Sequence, residues 1–518
     1  MNIGKIPAKT ARLSPQQEAL IDPHSDRRVT YAELDERVRR LANGLVRGLG
    51  ISKGDRVAIL SKNCVEYMEV IFACARSGLI AQPLNWRLSS EELERIIKDG
   101  EPAALISSPE YHEVATALVT RCDVAHHLNL GDADGGAYEA LLAASSDDEP
   151  DPNDEIGGDD PTLILYTGGT TGQSKGALHT HHSLYMGMLN QTVAERIVPT
   201  DVYMLTGQMF HIPVALAMNY MAHGCPVVLI NFDAQLALEL IEREGVTAFL
   251  GVTTMLNWMM AVEGFENYDL SSLRNIQYGG GPMPRSVVAA ALKAFPCTLI
   301  QGYGQTEGTT MSFLSQEDHT RALDGDHPER LASCGREGFV TRIRLVDDEG
   351  KDVPRDGQTP GEILVRSEAN MVGYWRRPDL TEKAFRDGWM CTGDVATWDA
   401  DGYIFIVDRA KDMIISGGEN IYSTQVEAAI QEHPAVLESA VFGVPDDEWG
   451  EAVKAAVVLK PGMQASAEEI IATAAQHLAS YQKPKSIDFV ESLPKAPTGK
   501  ILKRELRDPY WQDRDTQV

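Results

Sequence analysis

The sequence has no pattern of paired cysteines. Its seven cysteines are scattered along the chain, and no two of them form a C-x-x-C pair. Thiols distributed in this way fit a reducing compartment and argue against a disulfide framework or a zinc site. We therefore expect a cytoplasmic protein without structural disulfides.

Long apolar runs are also missing from the sequence. No stretch approaches the roughly 18 apolar residues that a membrane-spanning helix needs. The opening segment, MNIGKIPAKT, lacks the apolar core of a secretory signal peptide. The sequence therefore predicts no membrane span and no secretion.

Positive charge is scarce in this chain. It has 47 Lys and Arg residues against 75 Asp and Glu residues, which gives a net charge of −28. An acidic surface of this size argues against a nucleic-acid partner or an anionic membrane. A site for anionic substrates must therefore gather its positive groups locally.

Helical and strand patterns alternate along most of the 518 residues, a length that predicts about two to four domains. Thr30 and Glu33 form a capping-box pattern before an amphipathic helix that runs to about residue 46. Buried strands are predicted at residues 56–60 and 80–84, and the alternation resumes after residue 163. This rhythm is typical of an α/β fold.

Two segments depart from this rhythm. Residues 144–161 are acidic and contain Pro and Gly, which predicts a solvated connection. Residues 334–407 change to short strands and turns, which predicts a small β-rich subdomain. Mixed α and β segments follow residue 408.

A glycine-rich loop follows the apolar segment at residues 163–166. Glycines allow backbone N–H groups to converge on phosphate oxygens, while hydroxyls and one lysine add further donors. The segment lacks the Walker pattern because Lys175 follows Ser174, and the residues after it resemble a strand and not a helix. The loop residues are Thr167, Gly168, Gly169, Thr170, Thr171, Gly172 and Lys175.

Two other motif interpretations are weaker. Residues 172–176 match G-x-S-x-G, so a serine hydrolase that uses Ser174 is an alternative from another class, but that motif requires a strand-to-helix turn. Residues 302–308 miss the dinucleotide pattern G-x-G-x-x-G because position 307 is glutamate.

Eight motifs stand in one order along the chain. They are Tyr166 to Gly172, Phe210-His211, Gly280-Gly281-Pro282, Gln301 to Glu307, Thr392-Gly393-Asp394, Asp408 to Asp412, Gly417 to Asn420, and Pro497 to Lys500. In this order the chain resembles the adenylate-forming superfamily of acyl-CoA synthetases, adenylation domains and luciferases. It is most similar to bacterial fatty-acyl-CoA and aryl-CoA ligases, from Thr30 to Lys503.

The resemblance implies an architecture. An N-terminal region, residues 1–408, is expected to contain packed α/β subdomains and a small β-barrel-like subdomain at about 334–407. A mobile α+β domain, residues 409–518, is expected to follow. Lys411 occupies the hinge position of the family, and Lys500 lies near the end of the mobile domain.

The resemblance also implies roles in adenylation. The loop from Thr167 to Lys175 holds the phosphates that leave as pyrophosphate, Thr306 contacts the α-phosphate, and Glu307 helps to hold Mg²⁺. Lys500 reaches the bridging oxygens. The adenine and ribose are contacted by Gly279, Gly280, Gly281, Pro282, Tyr303, Asp394 and Arg409.

The implied second step transfers the acyl group to the thiol of coenzyme A. Gly417, Gly418 and Glu419 then line the pantetheine tunnel. The acyl pocket is assigned to His211, Gly302 and Gly304, within segments 210–218, 253–260 and 302–311, whose apolar side chains favour an apolar acid. His211 stands where amino-acid-activating relatives carry aspartate, which argues against an amino-acid substrate.

The predicted function is an ATP- and Mg²⁺-dependent acyl-CoA ligase for a fatty or other apolar acid. An aryl-CoA ligase of the coumarate or benzoate type and an enzyme that loads a carrier protein remain alternatives. A homodimer is expected only through the resemblance. Gly168, Ser174 and Gly281 depart from the residues usual in the family.

Three histidines, His179, His181 and His182, have a spacing that resembles a metal site. They flank a predicted strand end and helix start, so a structural role is favoured.

Overall fold

The computed structural model describes residues 2–131, 136–150, 156–167, 174–281, 283–409, 412–416, 419–446, 449–495 and 501–511. The chain divides into two compact units. The first consists of Met1–Ile343 with Val365–Met390, and the second of Arg344–Leu364 with Cys391–Val518. The predicted α/β architecture is confirmed, while the domain boundary at residue 408 stays a prediction.

The helices of the described residues are α1 (Ile6–Leu13), α2 (Tyr31–Asn43), α3 (Val65–Ser77), α4 (Ser90–Gly100), α5 (His112–Cys122), α6 (Gly136–Ala144), α7 (His181–Glu195), α8 (Pro213–Ala222), α9 (Ala234–Glu244), α10 (Thr253–Met260), α11 (Arg285–Ala294), α12 (Gln316–Leu323), α13 (Pro378–Ala384), α14 (Ser423–Gln431), α15 (Ala467–Ala474) and α16 (Lys503–Trp511). None of these helices is long and apolar enough to cross a membrane.

The strands are β1 (Glu18–Asp22), β2 (Arg27–Thr30), β3 (Arg56–Leu60), β4 (Ile80–Pro83), β5 (Ala104–Ser107), β6 (His126–Asn129), β7 (Pro161–Thr167), β8 (Lys175–Thr180), β9 (Tyr203–Leu205), β10 (Val227–Leu229), β11 (Ala248–Leu250), β12 (Asn275–Gly279), β13 (Thr298–Gln305), β14 (Thr309–Leu314), β15 (Arg336–Glu337), β16 (Thr341–Val346), β17 (Gly361–Ser367), β18 (Gly373–Tyr374), β19 (Phe385–Arg386), β20 (Trp389–Trp398), β21 (Ile404–Arg409), β22 (Ile414–Ser416), β23 (Glu419–Ile421), β24 (Val436–Asp446), β25 (Gly450–Leu459) and β26 (Ser486–Phe489).

The largest sheet of the first unit has the order β15-β14-β13-β12-β11-β9-β10-β1-β2. Its central strands are parallel, and β12 pairs with β13 so that Gly279 lies opposite Gly302. The carboxyl ends of parallel strands share one edge of a sheet, where ligands bind in open α/β folds. This pairing therefore brings the residues after Gly279 and the residues after Gly302 together.

A second sheet of the first unit has the order β18-β8-β7-β4-β3-β5-β6. Strands β7 and β8 are antiparallel, with Thr167 opposite Lys175, so the glycine-rich loop joins two strands. Ser174 therefore leads into a strand, and the strand-to-helix turn of a hydrolase elbow does not form here. Residues 168–173 of this loop lie outside the described residues.

The predicted early elements are observed. Thr30 caps α2 through a capping box with Glu33, and the predicted strand at residues 56–60 is β3. One residue of the predicted acidic connection makes a contact with the fold. Glu149 forms an ion pair of 2.5 Å with Arg76, whose side chain is only 3% exposed.

The predicted β-rich segment divides its strands among three sheets. Strands β16, β17, β19, β20 and β21 form one small sheet. However, β15 pairs with β14 and β18 pairs with β8, so these two short strands join the larger sheets. The local strand pattern predicted the strands but not their partners.

The C-terminal part of the second unit contains a sheet of order β23-β22-β25-β24, with β26 beside β25. Its longest pairing joins β24 and β25 in antiparallel register. Ile414, Val426, Val441 and Val453 belong to the core that packs against it. This arrangement is the mixed α and β domain that the sequence predicts.

Candidate active site

Glu307, Tyr374 and Lys175 form a cluster in the first unit. The Tyr374 hydroxyl donates a hydrogen bond of 2.8 Å to Glu307 Oε1, and Lys175 Nζ lies 4.9 Å from the centre of the Tyr374 ring. Pairing of β18 with β8 places Tyr374 opposite Ala177, two residues after Lys175. The cluster joins the end of the glycine-rich loop to the predicted metal ligand.

The proton on the Tyr374 hydroxyl is firmly held. Burial, and next the Glu307 carboxylate, raise the pKa of Tyr374 well above its usual value. The phenol therefore stays protonated and donates to Glu307. Sequence reasoning missed Tyr374, because its two-residue strand gives no periodic signal.

Thr306 is held in place by a buried histidine. His179 Nε2 lies 2.8 Å from the Thr306 carbonyl oxygen, and His179 Nδ1 lies 3.2 Å from Ser183 Oγ. A carbonyl can only accept, so Nε2 carries the proton in this contact. Burial lowers the pKa of His179 to about 4, which keeps the imidazole neutral.

The other two histidines of the predicted group, His181 and His182, also make structural contacts. His181 is buried, and its Nδ1 accepts a hydrogen bond of 3.1 Å from the Ile3 amide. His182 Nε2 lies 2.8 Å from Glu368 Oε2. Among the residues that the structure describes, no group of three or more His, Cys, Asp and Glu side chains could hold a metal ion. A structural role, as favoured from the sequence, fits these contacts.

The predicted adenine wall begins at the carboxyl end of β12. A Cβ on Gly279 would lie 2.2 Å from the Gly302 carbonyl oxygen, so the close approach of β12 and β13 requires glycine. Gly280 has a φ of +75°, and a Cβ on Gly281 would meet nothing within 4 Å. Gly281 therefore borders open space, whereas Gly279 maintains the strand pairing.

The residues assigned to the acyl pocket differ in their surroundings. His211 is partly buried, its Nε2 has no hydrogen-bond partner among the described residues, and burial lowers its pKa to about 4. A Cβ on Gly304 would lie 1.9 Å from the Thr309 carbonyl oxygen, so the turn itself requires that glycine. Gly302 instead borders the side chains of Thr310 and Gln277.

Two side chains of the segment 253–260, which is expected near the pocket, have known surroundings. Met259 of α10 belongs to the core that contains Ile276 and Tyr278. Those residues alternate with Gln277 and Gly279 along β12, so they face the opposite side of the sheet. Trp258 is 60% exposed.

The predicted ribose contacts lie in the second unit. Arg409 Nε is 3.1 Å from Asp394 Oδ1, and these residues are paired across β20 and β21. The Asp394 amide donates to Thr392 Oγ1 at 3.1 Å, and Asp394 is only 4% exposed. Oδ1 of Asp394 is therefore held beside the guanidinium of Arg409.

A second polar network lies beside the predicted hinge. Asp408 accepts a hydrogen bond of 2.7 Å from Ser423 Oγ, and Lys503 also donates to Ser423 Oγ. Lys503 Nζ lies 2.8 Å from Glu427 Oε1. Burial raises the pKa of both Asp408 and Glu427, and Lys503 opposes that shift in each case. Sequence reasoning did not single out Lys503.

Of the remaining predicted site residues, two lie in the described part of the chain and the others lie outside it. Tyr303 is buried at the end of β13, and β23 begins at Glu419. The residues outside the described part of the chain are Gly168, Gly169, Thr170, Thr171, Gly172, Pro282, Lys411, Gly417, Gly418 and Lys500. Their roles stay predictions.

The Glu307 carboxylate is suited to a hard divalent cation. Tyr374 occupies Oε1, and no described residue donates a hydrogen bond to Oε2. Oxygen ligands are those that Mg²⁺ prefers. When bound, Mg²⁺ would neutralise charge that develops on the phosphates.

Comparisons with known proteins agree along the whole chain. The family model of AMP-binding enzymes matches residues 8–375, and the model of the AMP-binding enzyme C-terminal domain matches residues 425–500. A feruloyl-CoA synthase from Amycolatopsis sp is 39% identical over 509 residues, 98% of each chain. A long-chain-fatty-acid–CoA ligase from Mycobacterium tuberculosis is 35% identical over 511 residues, again 98% of each chain.

A solved structure of similar architecture is ATP-bound MatB from Rhodopseudomonas palustris. It superposes with a TM-score of 0.87 at 29% identity and covers 99% of each chain. The chain therefore belongs to the AMP-binding enzyme family, in its branch of AMP-forming acyl-CoA ligases, as the order of motifs predicts.

Proposed function

We propose that this enzyme joins a carboxylic acid to coenzyme A in two steps. The carboxylate oxygen attacks the α-phosphorus of ATP, the bond to the pyrophosphate leaving group breaks, and an acyl-adenylate forms. The thiol of coenzyme A then attacks the acyl carbon. The thioester forms, AMP leaves, and the thiol proton is lost to solvent. The single observation that carries this proposal is the agreement of both family models with the ordered motifs.

The first step needs charge stabilisation more than proton transfer. A carboxylate is already ionised at neutral pH, so its attack needs no general base. Lys175 provides a cation at one end of the phosphate loop, and Tyr374 orients Glu307 toward the phosphates. The neutral His179 holds the Thr306 backbone, so that Thr306 can serve the α-phosphate. Tyr374 and His179 hold Glu307 and Thr306 before the reaction, and such preorganisation is the condition for effective stabilisation of a transition state.

The remaining assignments complete this proposal. Asp394, with Arg409 beside it, accepts hydrogen bonds from the ribose hydroxyls, and Lys500 approaches the bridging oxygens of ATP. Lys411 acts as the hinge, and residues 417–419 line the pantetheine path. A cytoplasmic location, Mg²⁺ dependence and a homodimer are further parts of the proposal.

The substrate is proposed to be an apolar carboxylic acid, either fatty or aromatic. A Cβ on Gly302 would lie 2.9 Å from Thr310 Cγ2, so a larger residue at this position would press against the wall proposed for the acyl pocket. The similar fatty-acid ligase supports the aliphatic class, and the feruloyl-CoA synthase, at 39% identity, supports the aromatic class. Both classes fit a neutral His211.

The direct test is product formation from ATP, Mg²⁺, coenzyme A and a panel of fatty, cinnamic, benzoic and short-chain acids. We expect an acyl-CoA thioester and AMP in equal amounts with one class of acid. Transfer to an acyl carrier protein, with coenzyme A inactive, would instead favour carrier loading. Hydrolysis of thioesters without ATP, abolished in Ser174→Ala, would contradict the proposal and favour a hydrolase.

A further inference from the structure

Asp99 is the last but one residue of α4, a position that is unfavourable for an acidic side chain. The carboxyl end of a helix carries a partial negative charge, which repels a carboxylate. Asp99 Oδ2 accepts a hydrogen bond of 2.6 Å from the hydroxyl of Tyr166. The Asp99 carbonyl oxygen accepts a second one, of 3.2 Å, from Trp375 Nε1. These contacts with distant segments indicate a role for Asp99 beyond its own helix.

Tyr166 lies at the base of the glycine-rich loop. It pairs with Gly176 across β7 and β8, and the next pair toward the loop is Thr167 with Lys175. A Cβ on Gly176 would lie 3.1 Å from Tyr166 Cζ, so the tyrosine ring is packed against the opposite strand. Burial, and next the hydrogen bond to Asp99, raise the pKa of Tyr166 well above its usual value, so the phenol stays protonated and donates. The bond to Asp99 therefore restrains both strands directly before the loop.

Trp375 links Asp99 to the short strand β18. Its backbone amide donates a hydrogen bond of 2.7 Å to the Gly176 carbonyl oxygen. The residue before it is Tyr374, whose hydroxyl donates to Glu307. The contact of the indole with Asp99 therefore restrains the end of the strand that carries Tyr374.

We propose that Asp99 is a positioning residue for ATP, which acts through Tyr166 on the base of the glycine-rich loop and through Trp375 on Tyr374. A loop that is held in place before ATP arrives has less freedom to lose on binding, so the affinity for ATP is higher. The same restraint keeps the groups around the phosphates in the geometry that the reaction needs. This inference rests on the acyl-adenylate formation proposed above and adds to it a residue that lies in none of the ordered motifs.

The test measures binding of Mg²⁺-ATP to the full-length protein by calorimetry, together with pyrophosphate exchange at varied ATP and acid. Tyr166→Phe removes the donor of the hydrogen bond, and Asp99→Leu removes its acceptor. Each variant is expected to raise the dissociation constant and the KM for ATP about tenfold, the effect of a lost hydrogen bond to a charged group, while the KM for the acid stays unchanged. Asp99→Asn keeps an oxygen acceptor and should retain most of the wild-type affinity.

Glu101→Gln is the matched control, two residues further along the chain. Glu101 forms an ion pair of 2.6 Å with Arg376, and both side chains are about half exposed. This variant should bind ATP as the wild type does. Thermal unfolding identifies any variant that does not fold. Tyr166→Phe keeps the packed ring, so it tests the inference even if Asp99→Leu does not fold.

A double-mutant cycle tests whether the two side chains act through one bond. The double variant Tyr166→Phe/Asp99→Leu should lose no more affinity for ATP than the weaker of the two single variants, because the same bond is removed twice. A merely structural aspartate would lower the unfolding temperature and leave the ratio of the two KM values unchanged.

Two results would overturn the inference and leave the proposed function standing. One is a wild-type affinity for ATP in both Tyr166→Phe and Asp99→Leu. The other is a pair of losses that simply add in the double variant. Calorimetry tests the inference without any acid, whereas a wild type that binds ATP but shows no exchange with any acid would contradict the proposed function.

Discussion

At the scale of single residues, Tyr374 contacts two of the predicted site residues although it lies in none of the sequence motifs. Its hydroxyl donates a hydrogen bond to the Glu307 carboxylate, and its ring lies beside Lys175. A phenol that donates to one carboxylate oxygen restricts how that carboxylate can rotate. Tyr374 is therefore placed to position Glu307, the proposed metal ligand, and Lys175 of the glycine-rich loop.

Tyr374→Phe should lower the rate of adenylate formation by about 10- to 100-fold, because it removes a hydrogen bond to a charged group worth about 1.5–3 kcal/mol. The Mg²⁺ concentration for half-maximal activity should also rise. Pyrophosphate exchange measured across a Mg²⁺ titration gives both quantities. Tyr185→Phe, at a partly exposed tyrosine of α7, is the control. An unchanged Mg²⁺ dependence would speak against the positioning role.

The motif residues could be predicted from the sequence, but their structural partners could not. Thr306 and Glu307 stand in a recognisable run, whereas His179 and Tyr374 contact them across pairings far apart in the chain. A histidine before a helix and a tyrosine in a two-residue strand carry no local signal of such contacts. The roles of His179 and Tyr374 follow only from their contacts with segments far away in the sequence.

At the scale of elements, the edge of β12 and β13 depends on three successive glycines with different requirements. Gly279 has no room for a Cβ, Gly280 has a positive φ, and Gly281 borders open space. Glycine therefore meets three different requirements here: close packing of the backbone at Gly279, a positive φ at Gly280 and open space at Gly281.

Gly279→Ala should destabilise the protein by about 1–3 kcal/mol, because the added methyl group overpacks the gap between two strands. Gly281→Ala should leave the free energy of unfolding almost unchanged and alter only the KM values. Denaturant unfolding of both variants, with ATP and acid titrations, measures the contrast. Equal destabilisation of the two variants would contradict this account.

Lys503 connects α16 to α14 and, through Ser423, to Asp408, three residues before the predicted hinge Lys411. Lys503→Met should destabilise the protein by about 1.5–3 kcal/mol, because it leaves the partly buried Glu427 without its charged partner. The double variant Lys503→Met/Glu427→Gln should recover part of that loss, as a double-mutant cycle would measure. Additive losses would show that the two side chains act independently.

The individual elements were easier to predict than their partners. The capping box of α2 and the apolar run of β3 are local patterns, and the structure confirms both. Strands β15 and β18 are two residues long and join sheets formed by distant segments. Such short strands are fixed by their neighbours and not by their own sequence.

At the scale of the whole molecule, burial makes stability depend on pH. Burial lowers the pKa of His179, His181 and His211 to about 4. Below about pH 6.5 these histidines take up protons in the unfolded chain but stay neutral in the folded chain. They therefore destabilise the fold as pH falls toward 4. Glu195 acts in the opposite direction, because burial raises its pKa to about 7 and its contribution is lost as pH rises.

The contribution of these three histidines to the free energy of unfolding should therefore decrease from pH 6.5 to 4.5, against the opposite contributions of Glu195, Asp408 and Glu427. His179→Gln should reduce the slope of that decrease, whatever its effect on overall stability. Chemical denaturation at a series of pH values measures the slope, and His477→Gln, at an exposed position, is the control. A slope unchanged by His179→Gln would contradict the role given to burial.

The central claim concerns the formation of an acyl-adenylate with the help of Lys500. The most direct measurement is acid-dependent exchange of labelled pyrophosphate into ATP, in the wild type and in Lys500→Ala. Exchange should appear with particular acids and fall by roughly 10²- to 10³-fold in the variant, because a donor to the transition state is lost. No exchange with any acid, in a folded protein that binds ATP, would contradict the account.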